Sequence, residues 1–233
     1  MSALVISASP RAQGRSAVLA RAVCDALAAD APAPDARPTL ISLADLDVRP
    51  CIGCDACACG PNAPEALPCA IDDDMARVRA LMDACDGLVL VSPVYFAGAP
   101  AQLKALLDRL QPYFWTDWLH TPKRPAQLHV VGEGTDPHGF APLVASVRSA
   151  LAVAGFRLGE VHDWVGLLPD DPPAVPADTD VLAGGRVHPA EAYRCEMPAE
   201  PGAASGAPAH AATNHGAVAP APAPAPDDPE VTR

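Results

Sequence analysis

Leu4-Val5-Ile6-Ser7-Ala8-Ser9-Pro10-Arg11-Ala12-Gln13-Gly14-Arg15-Ser16 sets the fold of the chain that contains it. Three apolar residues in a row suit a short buried strand, and Ser7 to Pro10 close it. From Ser16 to Ala29 the apolar residues Val18, Leu19, Ala22, Val23 and Ala26 recur at helical spacing. Strand, loop and helix therefore follow one another within thirty residues, and the same alternation continues. Thr39 to Leu43 predicts a second strand, Asp73 to Ala84 a helix with acidic residues in its first turn, and Leu88 to Val91 a third strand, apolar throughout as burial on both faces requires. Pro100 suits the first position of a helix bearing Leu103, Leu106, Leu107 and Leu110. Gln127 to Val131, a turn with Gly132 and Gly134, a helix from about 140 to 154 and a strand from about 156 to 161 complete the series. Parallel neighbours need crossover connections, so this order predicts a doubly wound α/β domain.

With 233 residues, half of them hydrophobic, the chain has material for one substantial core. The formal charge of −12, with 16 scattered basic residues, argues against a nucleic-acid partner. No apolar run approaches the roughly 20 residues that span a bilayer, and the start lacks the basic region and cleavage site of a signal peptide; the expectation is no membrane and a cytoplasmic location. Composition changes at Pro169. Thirteen of the 28 prolines lie from Pro169 onward, and Ala219 to Pro226 alternates Ala and Pro. The expected organisation is a domain at 1–168 and a mostly disordered tail at 169–233, with Val181 to Tyr193 the part able to pack on the domain.

Between the first strand and its helix, the hydroxyls of Ser9 and Ser16, the Arg11 guanidinium and the free N–H groups around Gly14 suit a phosphate monoester. The loop matches neither the dinucleotide nor the nucleoside-triphosphate glycine pattern. The plainer alternative is that Ser16 caps the helix and Ser9-Pro10 makes a turn. Ser92-Pro93-Val94-Tyr95-Phe96-Ala97-Gly98 follows the third strand at the carboxyl edge of the sheet, where doubly wound folds place their ligands.

Cys51, Cys54, Cys57, Cys59 and Cys69 crowd one insertion, 51–69. Gaps of two residues let a loop wrap one centre, with Cys69 as a distant fourth ligand. An iron-sulfur cluster, a structural zinc and no metal at all remain open. Cys24 and Cys85 sit at helical positions among Ala, Val and Leu and are expected as small apolar residues. Asp72 to Asp74 are expected as helix N-terminal charges rather than ligands.

Three motifs in order carry a resemblance. Ser9-Pro10-Arg11, then Cys51-Ile52-Gly53-Cys54 with Asp73-Asp74-Met75, then Ser92 to Phe96 followed by Ala101-Gln102-Leu103-Lys104-Ala105 and Asp108-Arg109, resemble the NAD(P)H-dependent FMN reductase family, particularly its iron-sulfur flavoprotein branch, over about residues 1–165. The resemblance implies a flavodoxin-like fold with a five-stranded parallel sheet in the order 2-1-3-4-5. It implies that Ser9, Arg11 and Ser16, with Gly14 in the same loop, hold the phosphate of flavin mononucleotide (FMN). Pro93, Val94, Tyr95, Phe96 and Gly98 would line the flavin ring, and Gly132, Glu133 and Gly134 would close the other side. Arg15 departs from the family, which often has Asn there. The resemblance further implies a [4Fe-4S] cluster on Cys51, Cys54, Cys57 and Cys69, although the gap before Cys69 is longer than in that branch and Cys59 is an additional candidate.

The implied activity is hydride transfer from NADPH or NADH to flavin, then electron delivery to a small-molecule or protein acceptor, by a homodimer or homotetramer. No catalytic side chain is named, because the chemistry belongs to the cofactor. A non-enzymatic electron carrier reduced by ferredoxin and a cysteine-based redox or metal sensor are the competing expectations. Tyr113, Phe114, Trp115 and Trp118 form an aromatic run suited to shielding the flavin, to a subunit interface or to capping the sheet. His120, His129, His138 and His162 lack ligand spacing and are expected as ordinary core or surface residues.

Overall fold

The computed structural model describes residues 2–33, 36–58, 69–116, 121–134, 136–168 and 185–193. Its strands are β1 (Ala3–Ser7), β2 (Thr39–Ser42), β3 (Gly87–Pro93), β4 (Arg124–Val131), β5 (Phe156–Asp163) and β6 (Arg186–Pro189); its helices are α1 (Arg15–Ala29), α2 (Met75–Ala84), α3 (Ala101–Asp108) and α4 (Ala141–Val153). The sheet runs β2-β1-β3-β4-β5-β6. The first five strands pair in parallel, in the order expected.

Among the described residues the sheet has six strands rather than five. β6 pairs antiparallel with β5, from Glu160 opposite Pro189 to Asp163 opposite Arg186. Residues 185–193, expected inside the tail, thus form a strand and a short 3-10 turn (Ala190–Tyr193) on the domain. Arg186 pairs with Asp163 at 2.7 Å, Tyr193 packs on Phe140, and Ala190 is fully buried. These contacts offset the ordering cost that composition alone predicts to be decisive. The remaining tail lies outside the described residues.

Helices cover both faces, as doubly wound topology requires. α2, α3 and α4 press Met75, Val78, Leu103, Leu106, Leu143 and Val147 against Leu4, Ile6, Leu88, Leu90, Leu128 and Val130. On the other face Leu19, Ala20 and Val23 of α1 meet Val5, Val89, Val91 and Val131. Each such fully buried aliphatic contributes about 1.5–3 kcal/mol of hydrophobic stabilisation. The consequence for the site is a rigid edge, where the loops after β1, β3, β4 and β5 leave the sheet side by side.

Pro100 stands as the N-cap of α3 rather than inside it. α2 begins at Met75, and the acidic residues before it divide their bonds: Asp73 accepts from the Met75 N–H at the helix start and from the Arg49 N–H, while Asp74 accepts from the Asp47 N–H. Asp73 thus serves the helix N-terminus from just outside the first turn, and both carboxylates also bond an irregular neighbouring segment, whose N–H groups have no ladder partner. Among the described residues no helix is long and apolar enough to cross a membrane.

Candidate functional site

The loop after β1 is tied by its own side chains. Ser9 Oγ donates to the Arg11 carbonyl at 2.7 Å and accepts from the Arg11 N–H, while the Gly14 N–H closes back on the same carbonyl at 3.1 Å. Gly14 then caps α1 with extended backbone angles; a Cβ there would stand 3.1 Å from Ser9 Oγ and 3.4 Å from Arg11 Nε. The N–H groups of the first helical turn have no carbonyl behind them, and no acidic residue occupies that turn. Ser16 is buried and Arg11 exposed at this end.

Opposite lies the turn after β3. Tyr95 and Gly98 exchange N–H···O bonds of 3.1 and 2.9 Å around Phe96 and Ala97, both in left-handed conformation. Such angles in residues with a Cβ cost on the order of 1–3 kcal/mol each and persist only where the surroundings dictate them. Here the Val94 N–H donates to the Val131 carbonyl and the Leu143 N–H to the Ala97 carbonyl, so the turn is held from β4 and from α4. The Phe96 ring is left fully exposed at the mouth.

The third wall follows β4. A Cβ on Gly132 would stand 2.7 Å from Val94 Cγ1, so only glycine lets the two walls approach without displacement. The Gly166 N–H donates to the Gly132 carbonyl, joining this turn to the one after β5. Arg15 reaches from α1 to Glu133 at 3.0 Å and links the first wall to the third.

These walls enclose one cavity of about 740 Å³. Ser9, Arg11, Ser16, Pro93, Val94, Tyr95, Phe96, Gly132, Glu133 and Gly134 all line it. Gly14 and Gly98 shape the two turns without lining it. Sequence reasoning singled out Arg15 only as a departure from the family, and it missed Val131, Val165 and the segment 136–140, in which the His138 N–H is held by Asp136. Asp136, Gly139 and Pro137 carried a turn signal, but nothing in it pointed towards a ligand. The volume lies within the about 300–1,000 Å³ of small-molecule sites, and the lining pairs an anion-suited end with an apolar one; this donor set fits a phosphate-bearing aromatic cofactor such as FMN.

Beneath this edge, His129 and His162 stack at 4.2 Å within the sheet, and Trp164 Nε1 donates to His129 Nδ1 at 3.0 Å. Burial first, and the neighbouring His162 second, push the His129 pKa down to about 3. Both histidines are core residues, as expected; His138 instead lines the cavity and His120 lies outside the described residues.

A second cavity of about 180 Å³ lies at the cysteine segment, and Cys51, Cys54, Cys57 and Cys69 all line it with Ile52, Arg109 and Trp115. Gly53 and Asp55 take left-handed conformations that curl the backbone around it. Cys51 and Cys54 are exposed, Cys57 and Cys69 half-buried. Burial raises the Cys57 thiol pKa, and the neighbouring thiols of Cys51, Cys69 and Cys54 add to the rise. Among the described residues no three Cys, His, Asp or Glu side chains are placed to hold a single metal ion. Cys59 lies outside the described residues. Of the aromatic run, Tyr113 is buried and bonded to Asp83 at 2.6 Å, Phe114 and Trp115 meet edge to face, and Trp118 lies outside the described residues. Trp115 therefore belongs to the cysteine cavity, not to the one at the sheet edge.

Residues 1–157 match the family model described as NADPH-dependent FMN reductase. The chain belongs to that family. Within the FMN reductase family it is similar to an iron-sulfur flavoprotein of Methanocaldococcus jannaschii, 40% identical over 112 residues that make up 48% of this chain and 53% of that protein. An iron-sulfur flavoprotein of Methanosarcina thermophila is 41% identical over 69 residues, 30% of this chain and 33% of that one. The chain thus spans about half or less of the length of these curated relatives. A solved NAD(P)H:quinone oxidoreductase from Methanothermobacter marburgensis superposes with a TM-score of 0.54 at 17% identity, covering 73% of this chain and 87% of the other, a likeness of fold. The FMN reductase family and this likeness agree with the flavodoxin-like sheet described above.

Proposed function

We propose that the protein binds FMN in the sheet-edge cavity and acts as an NAD(P)H oxidoreductase, with a [4Fe-4S] cluster on Cys51, Cys54, Cys57 and Cys69 serving as the outlet for electrons. The observation that carries the flavin reading is the convergence of the phosphate-suited loop, the strained aromatic turn and the Gly132 approach on one cavity. Ser9, Arg11 and Ser16 bind the phosphate, aided by the positive end of α1. Tyr95 and Val94 orient the ring, and the exposed Phe96 narrows the mouth and excludes water. Bound flavin supplies hydride acceptance and single-electron release, so no side chain need move a proton in the hydride step itself.

Four thiols around one cavity suit a cluster, whose ligands each hold a different iron, better than a zinc ion, which needs all four at one point. The exposed Cys51, Cys54 and Ile52 favour a second reading, in which a protein partner meets this surface and the molecule serves as an electron carrier. A homodimer covering the exposed Phe114 and Trp115 and a reducing cytoplasm that keeps the thiols free belong to the same proposal.

The test is an anaerobic absorption spectrum with iron and sulfide assays, followed by one equivalent of NADPH or NADH. Flavin bands, about four iron and four sulfide per chain, and bleaching by nicotinamide are expected. Bleaching only by reduced ferredoxin would move the reading to the carrier. Failure of the protein to take up added FMN would end it.

A further inference from the structure

Arg109 follows directly on α3, where a surface residue is the ordinary occupant, yet its side chain is only 2% exposed. Its guanidinium meets two separate stretches of backbone. Nη1 donates to the Arg49 carbonyl at 2.9 Å and to Asp73 Oδ2 at 2.8 Å; Nη2 donates to Asp73 Oδ1 at 3.0 Å and to the Ile71 carbonyl at 3.4 Å. Asp73, its side chain wholly buried, also accepts from the Arg49 and Met75 N–H groups. Burial alone would raise its carboxyl pKa, but the Arg109 bonds and these two N–H groups outweigh it and hold it below the usual range. Arg49 in turn donates to the Asp72 carbonyl.

Cys51 lies two residues beyond Arg49, and Cys69 two residues before Ile71. One fork therefore ties together both ends of the cysteine insertion at its base. Among the described residues Nε of Arg109 is buried with no hydrogen bond of its own, while Arg109 lines the cysteine cavity and its guanidinium interacts with the Cys69 side chain. A planar five-donor fork has the shape for this task and a lysine ammonium does not.

We propose that Arg109 is the positioning residue of the cysteine centre: held by Asp73, it closes the base of the insertion so that Cys51 and Cys69 face one cavity, and its Nε–H is the donor kept for a sulfur ligand there. The second half rests on the cluster reading above; the first does not. Partners of this kind around metal ligands are worth about 10–100-fold in metal retention.

Arg109→Lys and Asp73→Asn test it in the full chain, with FMN affinity as the measure of an intact fold. In the metal-free protein, dibromobimane bridging of Cys51 to Cys69, located by peptide mass, is expected to slow by about tenfold or more in both variants, with FMN affinity within about twofold of the parent. After anaerobic loading with iron and sulfide, chelator-driven loss of iron is expected to accelerate about 10–100-fold. Bridging at the parent rate overturns the proposal whether or not metal binds. So does loss of FMN binding in step with bridging, which would make the pair a general prop of the fold. Parent protein that bridges normally but loads no iron would sink the cluster reading and leave the loop closure standing.

Discussion

The two cavities are built on opposite plans. The one at the sheet edge is assembled from backbone: reciprocal bonds between Tyr95 and Gly98, strand-edge bonds at Val94 and Gly166, and a glycine where two walls nearly touch. The one at the cysteines lies on an excursion outside the sheet and is closed by side-chain charge, the Arg109 and Asp73 pair. A backbone-built site is distributed, so single substitutions reach it through ligand contacts. A site closed by one buried pair is concentrated, and its loss is all or nothing.

The largest effect expected from this contrast is on stability at the pair. Asp73→Ala strands a buried guanidinium and should cost about 3–5 kcal/mol in urea unfolding, whereas the double replacement Asp73→Leu with Arg109→Met should recover most of that loss. A single variant costing under about 1 kcal/mol would show that the pair behaves as a surface bridge and would break the contrast. Next in size, Arg11→Ala should weaken FMN about 10–100-fold, the worth of a charged hydrogen bond, and leave riboflavin affinity unchanged in fluorescence titrations. Equal loss for both ligands would place Arg11 in the fold rather than at the phosphate.

Acid should separate the two regions. His129 is neutral when folded down to about pH 3, while an unfolded histidine takes a proton below about pH 6.5. Its contribution is therefore whole above about 6.5 and is lost as pH falls, by about 1.4 kcal/mol per pH unit until the folded group itself titrates. Thermal melts from pH 7 to 4 should lose that slope in His129→Phe if this histidine is its source. The smallest effect is reserved for Arg15 and Glu133, whose carboxylate is 72% exposed. Glu133→Gln should shift stability by less than about 1 kcal/mol, measured by the same melts; a larger shift would mean that the sheet-edge cavity also leans on a charge pair.

The sequence disclosed the backbone-built region far better than the other. Leu88 to Val91, the Leu pattern of α3 and the loop from Ser9 to Ser16 carry local signals of period and turn, so five strands and the phosphate-suited loop were legible; the strand order and most of the ten lining residues came from the family resemblance. Arg109 with Asp73 was not, because two polar residues 36 positions apart look like separate surface charges until packing buries them. β6 was hidden for another reason. Arg-Val-His-Pro is too short to show a period, its Val187 is exposed, only His188 of the four is even half-buried, and the strand is held by the Arg186 pair and by Ala190 and Tyr193 beyond it. The cavity wall at 136–140 is a turn whose role depends on which loops stand beside it, and that is tertiary information.

β6 also decides how the molecule behaves in company. Without it the eight residues of β5 would present a long row of free N–H and C=O groups, the usual template for chains to zip together edge to edge. The strand that pairs with the last four of them, Glu160 to Asp163, is four residues long and carries Arg186 at one end and Pro189 at the other. A charge and a residue with no N–H to donate make a poor template, so this short addition to the sheet works as protection against aggregation.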